Sequence, residues 1–298
     1  MKKTNNSNVL EVKDLNVEFS TYGGTVKAVR GVSYQVRKGK TLGVVGESGC
    51  GKSVTVQAIL QLIPMPPGRI TSGSAKLNGK EMIGLSPKDI NTIRGREIGV
   101  IFQDPMSSLN PTMKIGNQIA ETVRVHQNAS KTEAMQKAVS LLEKTKIPEA
   151  EKRADQYPFE FSGGMLQRAI IAMSMACDPT LLVADEPTTA LDVTIQAQTL
   201  ELMHELQKDL GMSIILITHD LGVIARMAHD VAVMYAGQVV ESGPVDDIFY
   251  RSSHPYTLGL RHAMPSNIEG RQKKLEPIDG SPPDLFKPPK GCGYYARC

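Results

Sequence analysis

Gly46-Glu47-Ser48-Gly49-Cys50-Gly51-Lys52-Ser53 fits the pattern G-x-x-x-x-G-K-[ST]. A short apolar run, Thr41-Leu42-Gly43-Val44-Val45, precedes it and reads as a buried strand. A helix is expected after it, over about 52–62. That setting gives the pattern its physical meaning. Glycines let backbone N–H groups turn inward around phosphate oxygens, and the helix N-terminus adds partial positive charge. Lys52 then places an ammonium on β- and γ-phosphates, and Ser53 offers its hydroxyl oxygen to Mg²⁺. A chance glycine-rich turn is the competing reading, and the flanking strand and helix weigh against it.

This loop alone leaves kinases, GTPases and ATPases open. Further on, the apolar strand Leu181-Leu182-Val183-Ala184 ends in Asp185-Glu186. Asp185 at a strand end can hold the Mg²⁺ shell, and Glu186 is then placed to polarise an attacking water as general base. Between loop and strand lies Phe161-Ser162-Gly163-Gly164-Met165-Leu166-Gln167-Arg168. Ser-Gly-Gly opening a helix is an N-cap with exposed N–H groups, and so a second anion site. Two anion sites in one chain suggest two phosphates bound by one molecule.

Around these motifs the chain alternates. Val9–Val12 and Leu15–Phe19 read as edge-type antiparallel strand, Tyr22-Gly23-Gly24 as a turn, and 25–36 as a return strand pair. Residues 98–102 read as strand, 114–155 as an inserted helical subdomain and 163–177 as helix. Then follow helix 193–210, strand 213–218, a helix from Asp220, and strands 231–235 and 238–241. Strands alternating with helices imply an α/β fold with a mostly parallel sheet, an N-terminal antiparallel β subdomain and a helical insert. Past Met264 the composition changes: the last 34 residues hold six of the 18 prolines, which predicts an extended appendage with little regular structure. The expected division is therefore a nucleotide-binding domain over 1–263, with its helical subdomain at about 114–177, and a Pro-rich tail over 264–298.

Composition limits the function classes. With 298 residues, 34 Lys plus Arg against 31 Asp plus Glu, and a net charge of +3, the chain is not built mainly for electrostatic nucleic-acid binding. Aromatic content of 5% with no Trp leaves little for stacking on single strands. No apolar run reaches the length of a membrane span, and residues 1–8 lack the apolar core of a secretory signal, so the default compartment is the cytosol.

Ser162-Gly163-Gly164 with Gln167-Arg168, shortly before the acidic strand, resembles the signature motif of ATP-binding cassette (ABC) ATPases, whose core is that of P-loop NTPases. Other elements of that family follow in order. Tyr22 resembles the aromatic residue that stacks on adenine, Gln103 the Q-loop, Ala190-Leu191-Asp192 the D-loop and His219 the switch histidine. The resemblance covers residues 9 to about 263. It implies ATP binding by Tyr22, Gly46, Ser48, Gly49, Cys50, Gly51, Lys52 and Ser53, with Ser162, Gly163, Gly164 and Asp192 acting on nucleotide across a cassette dimer. It implies Mg²⁺ held by Ser53, Gln103 and Asp185, and hydrolysis by Glu186, His219 and Gln103. Read singly, Gln103 is equally a solvated loop residue, Asp192 an N-cap, His219 a surface histidine and Tyr22 ordinary strand packing.

A finer likeness, in Gln103–Pro111, Asp185–Thr194, Ser253–Thr257, Gly280–Pro283 and Gly291-Cys292, is to the dipeptide/oligopeptide permease branch and its D-type subunit. That likeness implies a peripheral subunit on the cytoplasmic face of the cell membrane. Its partners would be a second ABC ATPase, two integral membrane permease subunits and, indirectly, an external substrate-binding protein, with no nucleic acid. Nickel, glutathione and antimicrobial-peptide systems belong to the same branch. A soluble non-transport ABC ATPase and a regulatory nucleotide module remain as rivals.

Of the four cysteines, Cys50 lies in the phosphate loop and Cys177 ends an apolar helix. Cys292 and Cys298 stand as C-x₅-C in a Gly- and Pro-rich loop. In some members of the branch further cysteines follow such a pair and bind a [4Fe-4S] cluster. Two ligands cannot complete that site, so a cluster is expected only of a longer form of the chain. Two exposed thiols in a vestigial tail are the equal alternative.

Overall fold

The computed structural model describes residues 7–188, 192–264 and 277–298. In chain order, β1 (Asn8–Thr21), β2 (Gly24–Arg37), β3 (Thr41–Val45), α1 (Lys52–Ile59), β4 (Gly68–Leu77) and β5 (Lys80–Glu81) come first. Next are α2 (Pro87–Ile93), β6 (Ile98–Ile101), α3 (Pro105–Ser108), α4 (Ile115–Gln127), α5 (Lys131–Lys144), α6 (Ala150–Ala154), α7 (Gly163–Ser174), β7 (Leu181–Asp185) and α8 (Val193–Leu210). The chain closes with β8 (Ser213–Ile217), α9 (Leu221–Met227), β9 (Asp230–Tyr235), β10 (Gln238–Pro244), α10 (Val245–Tyr250) and α11 (Pro255–His262). Two compact units result, one from residues up to Gly84 and from Leu216 onward, the other from Leu85–Ile215.

In the first unit an antiparallel sheet has the order β2-β1-β4-β5. β1 is a single strand whose inward residues change parity: Leu10 and Val12 are buried, and then Leu15 and Val17. A bulge between Val12 and Leu15, with Asp14 at φ 47°, inserts the extra residue that returns the apolar set to the same face. β4 escapes the sequence reading. Its centre is the polar run Thr71-Ser72-Gly73-Ser74, and only Gly68, Ala75 and Leu77 are buried, so pairing with β1 rather than hydrophobic alternation makes it a strand.

β3 is buried throughout and pairs in parallel with β9, which pairs antiparallel with β10. A strand covered on both faces reads as a continuous apolar run. α9 lies so close to β3 that a β-carbon at Gly43 would stand 2.6 Å from Ile224 Cδ1. The end of β8 joins the same layer, where the Thr218 N–H donates to Val44 O at 3.2 Å. Arg37 ties β2 to β9 through two hydrogen bonds to Asp230, of 2.7 and 2.8 Å.

In the second unit β6 and β7 pair in parallel, with α4, α5 and α7 packed together beside them. α7 closes on β6 at Gly99, where a β-carbon would meet Ser174 O at 2.1 Å. Helix ends follow local chemistry. Ser130 and Glu133 form a capping box on α5, and α8 starts at N-cap Asp192 and stops at Gly211 with φ 64°. Helices α4 to α6 fall within the predicted helical stretch, and α1 ends at Ile59, three residues short of its expected limit. Among the described residues no helix is long and apolar enough to cross a membrane.

Candidate functional site: a phosphate loop and an acidic strand end

The phosphate loop leaves β3 and enters α1 in the first unit. Gly46 has φ 153° and Gly51 has φ 97°, conformations that disfavour other residues. Space excludes side chains as well. A β-carbon at Gly46 would lie 2.1 Å from the Met234 carbonyl oxygen, and one at Gly51 2.5 Å from that of Ala28. The loop is thus pressed against its own unit on one side, while Ser48 and Gly49 are exposed on the other. No side chain caps the N-terminus of α1, which leaves that end suited to an anion.

Lys52 is buried, and its Nζ donates to Gly46 O at 2.8 Å and Glu47 O at 3.0 Å. The ammonium therefore sits inside the curl of the loop, where a phosphate would otherwise supply its acceptors. Ser53, half-buried, follows it on the first turn of α1. Tyr22 is fully exposed at the tip of the β1–β2 hairpin, and His219 is exposed between β8 and α9.

Residues outside the motif also hold the loop. The Glu47 N–H donates to the hydroxyl of Tyr256 on α11 at 2.9 Å. Arg297 Nη1 meets Glu47 Oε2 at 2.9 Å. Residues 277–298 contain only a short helical turn, Tyr295–Arg297, yet they pack on this unit: Lys27 N–H of β2 donates to Leu285 O at 3.0 Å. Pro282, Pro283 and Leu285 border a cleft of about 60 Å³ beside Glu47–Cys50. No local pattern could have marked Arg297 or Tyr256, which lie 250 and 209 positions from Glu47.

The second unit holds the acidic pair. Asp185, the last residue of β7, is buried; Glu186 is half-buried with φ 48°, a left-handed conformation uncommon for a residue with a side chain. Gln103, just past β6, donates its Nε2 to Glu186 Oε2 at 2.9 Å. Two residues singled out independently, 83 positions apart, thus meet. Ser162 caps α7 by accepting from the Met165 N–H at 3.4 Å, with Ser162 and Gly163 exposed and Gly164 half-buried. Asp192 caps α8 by accepting from the Ile195 N–H at 2.9 Å, the local role open to it from the sequence. Ala190 and Leu191 of the D-loop reading lie outside the described residues.

Burial raises the thiol pKa of both Cys50 and Cys177, with the Lys52 ammonium opposing the shift at Cys50. Cys292 and Cys298 are free and exposed. No group of three or more His, Cys, Asp or Glu among the described residues could hold a metal ion, so a four-thiolate cluster does not fit the thiols present. Iodoacetamide at pH 8 should therefore alkylate Cys292 and Cys298 well before Cys50 and Cys177, as read by peptide mass spectrometry of the native protein. Equal rates at all four would contradict the burial.

A family model described as ABC transporter matches residues 29–189, and one described as oligopeptide/dipeptide transporter, C-terminal region, matches 240–298. The oligopeptide transport ATP-binding protein OppD of Bacillus subtilis is 58% identical over 97% of this chain and 81% of its own length. The dipeptide transport ATP-binding protein DppD of the same organism is 53% identical over 97% and 86%. Among solved structures, cbiO1 from Clostridium perfringens, part of the ABC transporter complex cbiONQ, superposes with TM-score 0.69 at 28% identity over 81% of this chain and 90% of its own. The ATP-binding cassette MJ0796, in a dimeric post-hydrolysis state bound to ADP and Pi, shares the fold at TM-score 0.71 and 23% identity over 79% and 98%.

Proposed function

Because this chain belongs to the ABC transporter family, in the branch with the oligopeptide/dipeptide C-terminal region, we propose that it is the ATP-hydrolysing subunit of a di- and oligopeptide importer. The observation that supports hydrolysis best is Glu186, intact at the end of β7 and hydrogen-bonded by Gln103. The peptide class rests on the similarity of the chain, tail included, to oligopeptide and dipeptide transport ATP-binding proteins.

ATP and Mg²⁺ suit the residues present. The backbone of the loop, exposed on its outer side at Ser48 and Gly49, together with the inward Lys52 ammonium, suits a triphosphate. Mg²⁺ neutralises phosphate charge when bound; Ser53, Gln103 and Asp185 offer the hard oxygen ligands it prefers. Lys52 holds the β- and γ-phosphates, Tyr22 stacks on the base, and Glu186 takes a proton from water, with His219 and Gln103 ordering the reacting groups. Ser162, Gly163, Gly164 and Asp192 act on nucleotide held by a second cassette. Nucleotide shared between two cassettes favours their closed pairing, and hydrolysis removes that preference.

In domain terms, residues 1–263 form the cassette, with the helical subdomain at about 114–177, and 264–298 the tail. The partners are a second ABC ATPase and two membrane permease subunits, served by an external binding protein, with this chain peripheral on the cytoplasmic face. Reconstitution into vesicles with the permease subunits and binding protein of a peptide importer from the same organism tests the reading. ATP-dependent uptake of a labelled tripeptide is expected, absent with ADP. ATP-dependent uptake of nickel or glutathione with none of peptide would reassign the cargo.

A further inference from the structure

The outer turn of the phosphate loop carries a carboxylate, Glu47, one residue after Gly46. Its backbone oxygen accepts from Lys52 Nζ at 3.0 Å, so the ammonium assigned to phosphate is bonded to the residue that bears this negative charge. An uncompensated carboxylate there opposes binding of a triphosphate. The compensating charge comes from the last turn of the chain. The Arg297 side chain is 6% exposed and Glu47's 25%. Besides Glu47, Arg297 donates to Tyr235 Oη at 3.2 Å, Asp279 O at 2.8 Å and Ile278 O at 3.2 Å, so its position is over-determined. Tyr294 anchors the turn: it is buried, with ring centroids 5.3 Å from Tyr235 and 5.4 Å from Tyr256, and the Tyr256 hydroxyl in turn accepts the Glu47 N–H. Every one of these residues belongs to the same compact unit.

We propose that Arg297 is a positioning residue for nucleotide binding: supplied by the C-terminal tail, it neutralises Glu47 and makes the tail part of the phosphate site. The inference rests on the reading of Gly46–Ser53 as that site. Arg297 touches no substrate atom; it acts by neutralising the charge of Glu47.

Magnesium–ATP titrated calorimetrically into the full chain tests it. Arg297→Gln should raise Kd about tenfold, the scale of one unneutralised carboxylate close to the phosphates. The defect should shrink between 50 mM and 0.5 M salt, because it is a charge effect on a partly solvated site. Glu47→Gln alone should leave Kd within about twofold or tighten it, and Glu47→Gln with Arg297→Gln should return Kd close to native, since no unpaired carboxylate then remains. Arg297→Lys should keep most of the affinity. A structural anchor alone would give a double mutant as weak as Arg297→Gln or weaker, with no salt effect, and that result overturns the proposal. So does an Arg297→Gln Kd within twofold of native. Where Arg297→Gln does not fold, a tenfold loss in Glu47→Gln overturns it, while native or tighter binding supports it. Lys52→Ala separates the two readings. Full ATP binding by Lys52→Ala sinks the nucleotide site itself; loss there with native affinity in Arg297→Gln sinks only the role of Arg297.

Discussion

Glu186→Gln is expected to cut ATP turnover about 10²- to 10⁴-fold while leaving ATP affinity near native, the range for removal of a general base. The substitution is nearly isosteric. An amide oxygen at this position can still accept from Gln103 Nε2, so the 2.9 Å contact that orients the side chain persists. What disappears is the capacity to take a proton from water. The left-handed backbone at Glu186 is equally open to Gln and Glu, so strain does not enter the comparison. Phosphate release from the assembled transporter measures turnover, and titration with ATP measures binding. Turnover within tenfold of native would remove Glu186 from the role of base and leave it as a positioning partner of Gln103. Loss of ATP binding would instead mean that the end of β7 helps hold nucleotide.

Lys52→Ala should abolish tight binding, with affinity for magnesium–ATP falling on the order of 10²-fold, or about 3 kcal/mol, the scale of one or two lost charge-assisted hydrogen bonds. Without nucleotide the ammonium is satisfied by Gly46 O and Glu47 O, and binding exchanges these for phosphate oxygens. Alanine removes the point charge and leaves both carbonyls lining the curl, adding their negative dipoles to the loss. Lys52→Met keeps the apolar stem and checks for collapse of the buried site; it should bind as weakly as Lys52→Ala while melting close to native. Native affinity in either variant would mean that the loop binds phosphate through backbone N–H groups alone. Glu186→Gln and Lys52→Ala thus fail in different assays, one in turnover and one in binding.

Much of the candidate site is legible in the chain because its devices are local. A phosphate loop needs two glycines at special φ and a helix start directly behind them, all within eight consecutive residues. The caps at Ser162 and Asp192 are equally local, each a side chain reaching an N–H three residues on. β3 and β7 announce themselves as short unbroken apolar runs because both faces are buried. Where the same local logic lacks hydrophobic signal it fails, as at β4, whose polar centre is made a strand by β1 alone. The small helices α2, α3, α10 and α11 are too short for periodicity to show.

The pattern of a phosphate loop, an acidic strand end and a signature-type helix cap can be read in order along the chain, since each is written in a few adjacent residues. Folding brings Gln103 to Glu186 across 83 positions, and packs a proline-rich tail on the loop so that Arg297 meets Glu47 across 250. A pairing of two side chains leaves no pattern along the chain. Composition predicts little regular structure past Met264, but a segment with no more than a short helical turn can still be held by side chains. Here the buried ring of Tyr294 and the four-way hydrogen bonding of Arg297 hold it in place.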